Sequence, residues 1–403
     1  MTLAASEKKA VSAATLHTAS RWRISRALEE LWPDRTAVLG AQCPSVTSYV
    51  CRVTVDGEPL IAKHSWLGMS LVSVLRGAAG TWDDVRSAQN LYAESPQSLV
   101  TREAQHLAAI RKLGRPRVCD TAGVHGGVLV TREAEGTSLA AELVAHPADT
   151  SDFLEAALTA LRDLHGPAGA RRLSAVSPIG ERSVIGVFRR KFLGPRSAGY
   201  LRELGQDSGL PEDERQEVAE LVRRVVDRLA RLLGAVSSRR ETVVFGDLKP
   251  EHVFLDGGGC LRFIDPAVQW AAGSEPDVAK LTGRTLLLAL GHPDPEVRRQ
   301  IVDGVYSTLS RHVAVLSAGP NRDARLRELL VLWLMDTVSI LSTCLSAPPD
   351  LPLANHQISL LAMARMVARM VDAASALLVG STAGFRLLDV VVDQVDMVAG
   401  GLP

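Results

Sequence analysis

The stretch VVFGDLKPEHVFLDGGGCLRFIDP, residues 243–266, decides the predicted fold. It begins with a run rich in β-branched residues, passes a charged turn and a short apolar segment, turns at three glycines, and ends in an apolar run that stops at Asp265. The pattern predicts a strand, a loop and a hairpin, with Asp247 and Asp265 on neighbouring loops at strand ends. Two carboxylates so placed suit phosphoryl transfer, because one can orient an attacking hydroxyl while the other holds a divalent cation on nucleotide phosphates.

This segment resembles the catalytic and metal-binding loops of the aminoglycoside-phosphotransferase and protein-kinase-like superfamily. The family pattern is roughly His-Gly-Asp, four residues, Asn, and a hydrophobic-Asp motif after a short hairpin. The spacing from Asp247 through His252 to Asp265 matches it. The resemblance implies that Asp247 orients or deprotonates the acceptor hydroxyl and that Lys249 offsets charge developing on the transferred group. It implies His252 and Asp265 as metal ligands, and Asp277 as a brace for the catalytic loop.

Two positions depart from the family pattern. Phe245 stands where the family usually has His, whose role is mostly to brace the loop. His252 stands where the family usually has the metal-binding Asn. An imidazole is a softer ligand than an amide oxygen and suits Mg²⁺ poorly. Three interpretations of His252 stay open: it binds metal less directly, Mn²⁺ is tolerated, or the enzyme is weakened.

Further upstream, the segments SYVCRVTV and PLIAKHSW, joined by Asp56-Gly57, predict two strands and a tight hairpin turn. The resemblance places Lys63, in the second strand, at the lysine that contacts the nucleotide phosphates. It places Glu103, in the helix predicted over residues 100–114, at the glutamate that aims this lysine. The alternatives are a solvated surface lysine and an acidic helix start that only compensates the helix dipole. The order of the two residues among strands and helices favours the nucleotide site.

Two more strands are predicted at residues 117–124 and 128–131. The next segment resembles the hinge between the two lobes of the family, where backbone groups of Arg132, Glu133 and Ala134 would hydrogen-bond a purine. The cofactors implied by the resemblance are ATP and Mg²⁺, with Mn²⁺ as the alternative cation.

The predicted fold class is α+β, a two-lobed protein-kinase-like fold with a small antiparallel-sheet N-lobe carrying one helix and a large, mainly helical C-lobe. Residues 1–36 are predicted to form an N-terminal tail and helix. Residues 37–135 form the N-lobe, interrupted by an insertion at 66–100. Residues 136–403 form the C-lobe that carries the catalytic and metal loops.

The composition excludes several classes of protein. The 403 residues contain 45 Lys and Arg against 45 Asp and Glu, so no global charge favours nucleic acid or an anionic membrane surface. The five cysteines are scattered without metal-type spacing, which fits a reduced cytoplasm. Residues 1–17 lack an apolar signal core and predict a flexible start. The most apolar run, residues 329–345, is interrupted by Asp336, which favours a buried helix over a membrane span.

The acceptor is less well marked than the catalytic loop. Residues 166–209 contain few acids before Glu203 and eight basic residues: Arg171, Arg172, Arg182, Arg189, Arg190, Lys191, Arg196 and Arg202. Such a basic insertion argues against a polycationic acceptor and suits an anionic partner such as an acidic leader peptide. The alternative interpretation is a solvated helix face.

Two kinds of acceptor therefore stay open. One is a small hydroxylated metabolite or antibiotic, as in most of the family. The other is Ser or Thr of a precursor peptide, as in lanthipeptide-type kinases, where a partner lyase acts next; the spelling DLKPEH slightly favours this hydroxyl. The apolar excess of the C-terminal helices is compatible with a homo-oligomer or partner surface. A different class is a non-catalytic, kinase-like nucleotide-binding module.

Overall fold

The computed structural model describes residues 11–316, 322–380, 393 and 395. The predicted flexible start up to residue 10, and the parts of the predicted C-lobe at 317–321 and beyond 380 other than 393 and 395, lie outside the described residues. The chain divides into two compact units. The first lies within residues 1–105, 120–133 and 347–354, and the second within residues 106–119, 134–346 and 355–403.

The first unit is built on a five-stranded sheet. Its helices and strands in chain order are α1 Ala13–Leu31, β1 Ala37–Cys43, β2 Tyr49–Val55, β3 Glu58–His64, α2 Leu71–Leu75, α3 Trp82–Glu94, α4 Leu99–Leu113, β4 Thr121–His125 and β5 Val128–Arg132. The strand order is β1-β2-β3-β5-β4, and every neighbouring pair is antiparallel. Helix α4 continues along the chain into the second unit.

The central hairpin of this sheet forms as the sequence predicts. Asp56 and Gly57 both have positive φ, 50° and 83°, which is the backbone that a two-residue type I′ turn requires. Strand β2 alternates buried and exposed residues. Its buried face, with Tyr49 and Val53, packs against Ile24 and Leu28 of α1 to form one hydrophobic core.

The predicted insertion at residues 66–100 forms α2, α3 and the start of α4. Its first half supplies a second core around Trp66, Leu71 and Leu75, and Leu351 from a later segment packs against the same cluster. The buried Trp66 indole donates a hydrogen bond to Ser20 Oγ over 2.8 Å. The insertion therefore packs largely against its own unit, while α3 keeps an exposed outer face.

The strand predicted over residues 117–124 is split. Only Thr121–His125 belongs to the five-stranded sheet. The preceding residues pair elsewhere: the Phe263 amide donates to the Arg117 carbonyl, and the Cys119 amide donates to the Phe263 carbonyl. The sequence could not reveal this, because the apolar alternation is the same whichever strand provides the partner.

The second unit is mainly helical. Its elements are β6 Thr137–Ser138, α5 Leu139–Ala145, α6 Thr150–Ala160, α7 Arg162–His165, α8 Pro167–Leu173, α9 Val184–Phe188, α10 Ser197–Arg202, α11 Glu212–Arg231, β7 Thr242–Val244, β8 Val253–Leu255, β9 Leu261–Phe263, β10 Gln269–Ala271, α12 Glu275–Leu290, α13 Pro295–Leu316, α14 Arg322–Leu345, α15 Asn355–Ala362 and α16 Ala364–Gly380. Strands β6, β8 and β9 form one small sheet, and β7 pairs with β10. The residues between α9 and α10 include a π-helical turn, Arg189–Leu193.

Helix α14 is the only helix in the described parts of the chain that is long and apolar enough to cross a membrane by length and composition, and its apolar window is wholly buried. It packs against α12, α9 and α16. The prediction of a buried helix over this run is confirmed. The α+β class, with a small antiparallel sheet and a larger helical region, is also confirmed.

Candidate active site

In the first unit, the predicted nucleotide lysine and its glutamate lie together. Lys63 on β3 donates to both carboxylate oxygens of Glu103 on α4, each over 2.9 Å. Both residues are buried, at 5% and 1% exposure. Removing one member of such a pair leaves an uncompensated buried charge and costs about 3–5 kcal/mol. The pair therefore fixes the position of the Lys63 ammonium group within its unit.

A neutral histidine adjoins this lysine. His64 is fully buried, and burial lowers its pKa to about 3. Its ring lies edge-on to Trp66, with centroids 4.7 Å apart. Gln89 of α3 lies 3.2 Å from His64 Nε2 and donates to the Ser65 carbonyl over 3.0 Å. The insertion is thus hydrogen-bonded to the end of β3, directly after Lys63.

The predicted hinge residues lie where the chain passes from one unit to the other, between Glu133 and Ala134. Glu133 binds Arg52 over 2.8 Å, and Arg132 lies 3.1 Å from Glu58. The Arg132 amide donates to the Asp120 carbonyl over 2.9 Å. Donors to a purine would therefore have to come from the backbone after Arg132.

In the second unit, a buried carboxylate braces the loop that follows β7. Asp277, at the start of α12, accepts hydrogen bonds from the Phe245 amide over 2.7 Å and from the Gly246 amide over 2.8 Å. His165 Nε2 lies 2.8 Å from the same carboxylate. Gly246 has φ of 86°, and a Cβ there would collide with the Ala267 carbonyl oxygen, so glycine is required.

This brace explains how the loop tolerates Phe245 in place of the usual His. The Phe245 side chain is fully buried and packs against Phe263, with ring centroids 5.7 Å apart. The hydrogen bonds that hold the loop come from its own amides to Asp277 instead. The departure at this position is therefore a change in packing.

Asp247 is surrounded by cations. Lys280 Nζ lies 2.5 Å from its Oδ1, and Lys249 Nζ lies 3.7 Å from its Oδ2. Burial alone would raise the pKa of Asp247, but Lys249, Lys280 and His252 together hold it well below its ordinary value. A carboxylate with so low a pKa is a weak general base. It is suited to orienting a hydroxyl by accepting its hydrogen bond.

The sequence analysis missed Lys280 and its partners. Lys280 and Arg284 follow Asp277 at three and seven residues along α12, so all three side chains lie on one face of the helix. Arg284 makes a bidentate contact to Asp336 of α14, over 2.5 and 3.1 Å, and Lys280 lies 3.8 Å from the same carboxylate. The available signal was polar residues at helical spacing inside two apolar helices.

His252 and Asp265 face each other beyond this cluster. His252 Nδ1 lies 3.0 Å from the Asp247 carbonyl oxygen, and Nε2 lies 3.6 Å from Asp265 Oδ2. Burial and Lys249 lower the pKa of His252 to about 4, so the ring is neutral. Nδ1–H then donates to the carbonyl and the Nε2 lone pair points towards the carboxylate. Asp265 adopts φ of 57°, a strained conformation of the kind that clusters at functional sites.

These two residues fit a divalent cation as a partial ligand set. A lone pair and a carboxylate oxygen 3.6 Å apart can share one ion, and a mixed nitrogen and oxygen set suits Mn²⁺ better than Mg²⁺. Among the described residues no three His, Cys, Asp or Glu side chains cluster to hold a metal by themselves. Cations that bridge nucleotide phosphates usually take one or two protein ligands and complete their shell with phosphate and water.

Comparisons with known proteins point to one family of enzymes. Residues 47–267, more than half of the chain, match the model of the Phosphotransferase enzyme family. No curated protein matches the sequence. The fold is similar to ethanolamine kinase of Plasmodium vivax, at 10% identity, 83% coverage of both chains and a TM-score of 0.43.

Two further solved structures are similar in fold. A thermostable mutant of the aminoglycoside phosphotransferase APH(4)-Ia is 12% identical, with 87% of this chain and 99% of that chain covered and a TM-score of 0.48. Choline kinase from Cryptosporidium parvum Iowa II is 10% identical, with coverages of 92% and 97% and a TM-score of 0.45.

Proposed function

The chain belongs to the phosphotransferase enzyme family, and from that premise we propose that it transfers the γ-phosphoryl group of ATP to a hydroxyl of a small molecule. The observation that carries the proposal is the ionised, buried Asp247 on a braced loop, with His252 and Asp265 presenting a shared cation position beside it. This arrangement combines a group that can orient a hydroxyl with groups that can hold a metal, as phosphoryl transfer requires.

Each residue has a defined role in the proposed reaction. Lys63, fixed by Glu103, would contact nucleotide phosphates. His252 and Asp265 would hold a divalent cation, which when bound would neutralise phosphate charge. Asp247 orients the acceptor hydroxyl. The acceptor oxygen forms a bond to the γ-phosphorus while the bond to the β–γ bridging oxygen breaks, and ADP leaves with that electron pair. The hydroxyl proton is released to water, because the low pKa of Asp247 prevents it from retaining a proton.

A small acceptor is preferred over a precursor peptide. The peptide interpretation rests on the basic insertion at residues 166–209 and on the motif DLKPEH. One of the cations of that insertion, Lys191, turns inward and binds Ser339 and Thr343 of α14. That cation is therefore not on an open surface where an acidic leader could bind. A peptide acceptor with a partner lyase remains the alternative outcome of the test.

The test is transfer of label from ATP to pools of small hydroxylated compounds and of Ser/Thr peptides with acidic leaders, with Mg²⁺ or Mn²⁺. Wild type is compared with Asp247→Asn, which keeps the shape of the side chain but removes its charge. We expect transfer to a small molecule that falls at least about 100-fold in the variant, while ADP binding by calorimetry is retained. Nucleotide binding without transfer to any pool would instead identify a non-catalytic binding module.

A further inference from the structure

Lys191 is a cation that the proposed reaction does not use. It lies in the π-helical turn Arg189–Leu193, and its Nζ donates hydrogen bonds to the Ser339 carbonyl and to Thr343 Oγ1 on α14. The rings of Phe192 and Tyr200 lie 5.9 and 5.8 Å from Nζ. No carboxylate in the described parts of the chain lies within ion-pair distance of this ammonium group.

The surroundings of Lys191 leave its charge uncompensated. Two neutral oxygens and two ring faces satisfy part of an ammonium group that carries three donors. Burial lowers the pKa of Lys191 to about 7, and the nearby Arg284 also lowers it. Next to it, Ser339 is 5% exposed, and its hydroxyl has no hydrogen-bond partner among the described residues. An ammonium group without a counter-ion and a hydroxyl without a partner therefore lie side by side. Both can donate hydrogen bonds to an anion.

The position of Lys191 relates it to the catalytic loop of the same unit. Asp336, Ser339 and Thr343 are separated by three and four residues on α14, so they lie on one face of that helix. At 1.5 Å of rise per residue, Lys191 Nζ lies about 5–10 Å along α14 from Asp336. Asp336 binds Lys280 and Arg284, and Lys280 binds Asp247.

This row of side chains is net positive and reachable by water. Four cations, Lys191, Lys249, Lys280 and Arg284, outnumber the three carboxylates beside them, those of Asp247, Glu251 and Asp336. The side chain of Arg284 is 16% exposed, and that of Lys249, at the Asp247 end of the row, is 23% exposed. Both side chains are therefore partly exposed to solvent.

We propose that the acceptor of this phosphotransferase is an anion, a small hydroxylated molecule whose carboxylate or phosphate group binds Lys191 and Ser339 while its hydroxyl reaches Asp247. The proposal rests on the proposed function and names its substrate class. A carboxylate or phosphate oxygen would take the third Lys191 donor and the Ser339 hydroxyl. The same row of cations would repel an amine-bearing acceptor.

The first test compares acceptors that differ only in charge. Glycerate, glycerol and aminopropanediol form a matched anionic, neutral and cationic set, and longer hydroxy acids, hydroxy phosphates, polyols and amino alcohols extend it. We expect kcat/KM for the anionic members to exceed that of their neutral counterparts by about tenfold or more, the worth of one charge-assisted hydrogen bond. Lys191→Met removes this preference mainly through KM. Arg189→Met, which removes an exposed cation from the same turn, preserves it.

The second test needs no acceptor. A lysine with a pKa of about 7 is about half unprotonated at neutral pH, a far larger fraction than in an ordinary lysine, so its amine is expected to acylate much faster. We expect inorganic phosphate or acetate to slow the acylation of Lys191. The folded enzyme is labelled, and peptide mass spectrometry then measures the acylated fraction at each lysine. The same anions should leave the acylation of Lys112, on the exposed face of α4, unchanged.

The outcomes separate this proposal from the proposed function. Transfer to neutral or amine-bearing acceptors with equal or greater kcat/KM, and unchanged by Lys191→Met, would overturn the anionic acceptor and leave the phosphotransferase intact. A Lys191 acylation rate indifferent to both phosphate and acetate would overturn the anion site directly. Protection of Lys191 without transfer to any acceptor would support the anion site and count against the proposed function instead.

Discussion

Asp247 is a carboxylate whose state is set by its neighbours. Lys280 contacts it at 2.5 Å and Lys249 lies 3.7 Å away, so its pKa is far below the range in which it could remove a proton at neutral pH. In the proposed reaction, its main contribution is to position the acceptor hydroxyl, because phosphoryl transfer depends on geometry and electrostatics. In that reaction Lys280 would be a positioning residue, because it would act on the acceptor only through Asp247.

Replacing Lys280 by Met should leave Asp247 with an unpaired Oδ1 in a buried place. We expect the free energy of unfolding to fall by about 3 kcal/mol, since breaking a buried pair strands a charge. The double variant Lys280→Met with Asp247→Asn should recover about 1–3 kcal/mol of that loss. Urea unfolding of the two single variants and the double variant measures this coupling. Purely additive effects would show that the two side chains do not interact.

The identity of residue 252 should set the preferred metal. His252 offers an imidazole nitrogen 3.6 Å from Asp265, where an amide oxygen would suit Mg²⁺ better. We expect His252→Asn to raise the ratio of activity with Mg²⁺ to activity with Mn²⁺ by about tenfold, the effect of one altered ligand contact. His252→Gln, whose longer side chain displaces the oxygen, serves as the control. An unchanged ratio in the Asn variant would remove His252 from the metal site.

Some of these residues could be predicted from sequence and others could not. Local sequence motifs and their spacing predict the pair Lys63 and Glu103. They also predict the loop that holds Asp247, His252 and Asp265. Lys280 could not be predicted, because a single lysine in an apolar helix looks the same whether it meets a carboxylate or reaches solvent. Only the three-dimensional packing of α12 on the loop distinguishes the two cases.

At the scale of elements, α12 and α14 carry the polar groups that surround the catalytic loop. Each is almost entirely buried and apolar, with a few charged residues at helical spacing. Buried charges that pair across two helices fix how those helices register against each other. The Arg284 contact to Asp336 therefore aligns the helix that carries Lys280 with the helix that carries Ser339.

Another buried acid on α14 should make stability depend on pH. Burial and the neighbouring Glu275 raise the pKa of Glu328 from about 4.5 to about 7. Between these values the unfolded chain loses its proton first, so the folded state binds more protons and stability falls as pH rises. Glu328→Gln keeps an acceptor for the Ser237 amide, and we expect it to lose this dependence.

The measurement is the difference in unfolding free energy between wild type and Glu328→Gln across pH 4.5 to 7 and above. We expect wild type to lose about 1–2 kcal/mol relative to the variant over that window, a reduced value because neighbouring polar groups screen the charge. Glu220→Gln, at an exposed position of α11, should show no such difference. A parallel pH profile for wild type and Glu328→Gln would place the Glu328 pKa near its ordinary value.

The sequence pattern predicted an element correctly where its structure depends on the segment itself. The Asp56-Gly57 hairpin and the buried α14 were predicted correctly, because turn chemistry and hydrophobic length are properties of the segment alone. The strand over residues 117–124 was wrong in its first half, because residues 117–119 pair with β9 from far along the chain. Long-range pairing is decided by topology, which alternation does not encode.

At the scale of the whole molecule, the predicted α+β class and the predicted phosphotransferase family are confirmed, and the family match explains which part of the chain could be interpreted from sequence. The match covers residues 47–267 and includes both the predicted nucleotide lysine, Lys63, and the predicted catalytic loop. The helices from Glu275 onward lie outside it. They supply Lys280 and Asp336 as well as the face that binds Lys191. The residues of the proposed chemistry could therefore be named from sequence, whereas Lys280, Asp336 and the partners of Lys191 could not.

Nucleotide should stabilise the folded chain independently of catalysis. A ligand that binds only the folded state at a hundredfold excess over its Kd adds about 2.7 kcal/mol. We expect ADP with Mn²⁺ to raise the thermal midpoint of wild type and of Asp247→Asn equally, and to raise that of Lys63→Met much less. Thermal denaturation with and without ADP measures this. An equal rise in Lys63→Met would remove Lys63 from the nucleotide site.

The burial of α14 also bears on how the protein is made. So apolar a segment, if it left the ribosome without packing partners, would be prone to membrane insertion or to aggregation with other nascent chains. Its packing partners α9 and α12 both precede it in translation, and only α15 and α16 come later. Because of this order of synthesis, several of the helices that bury α14 are already synthesised when α14 emerges.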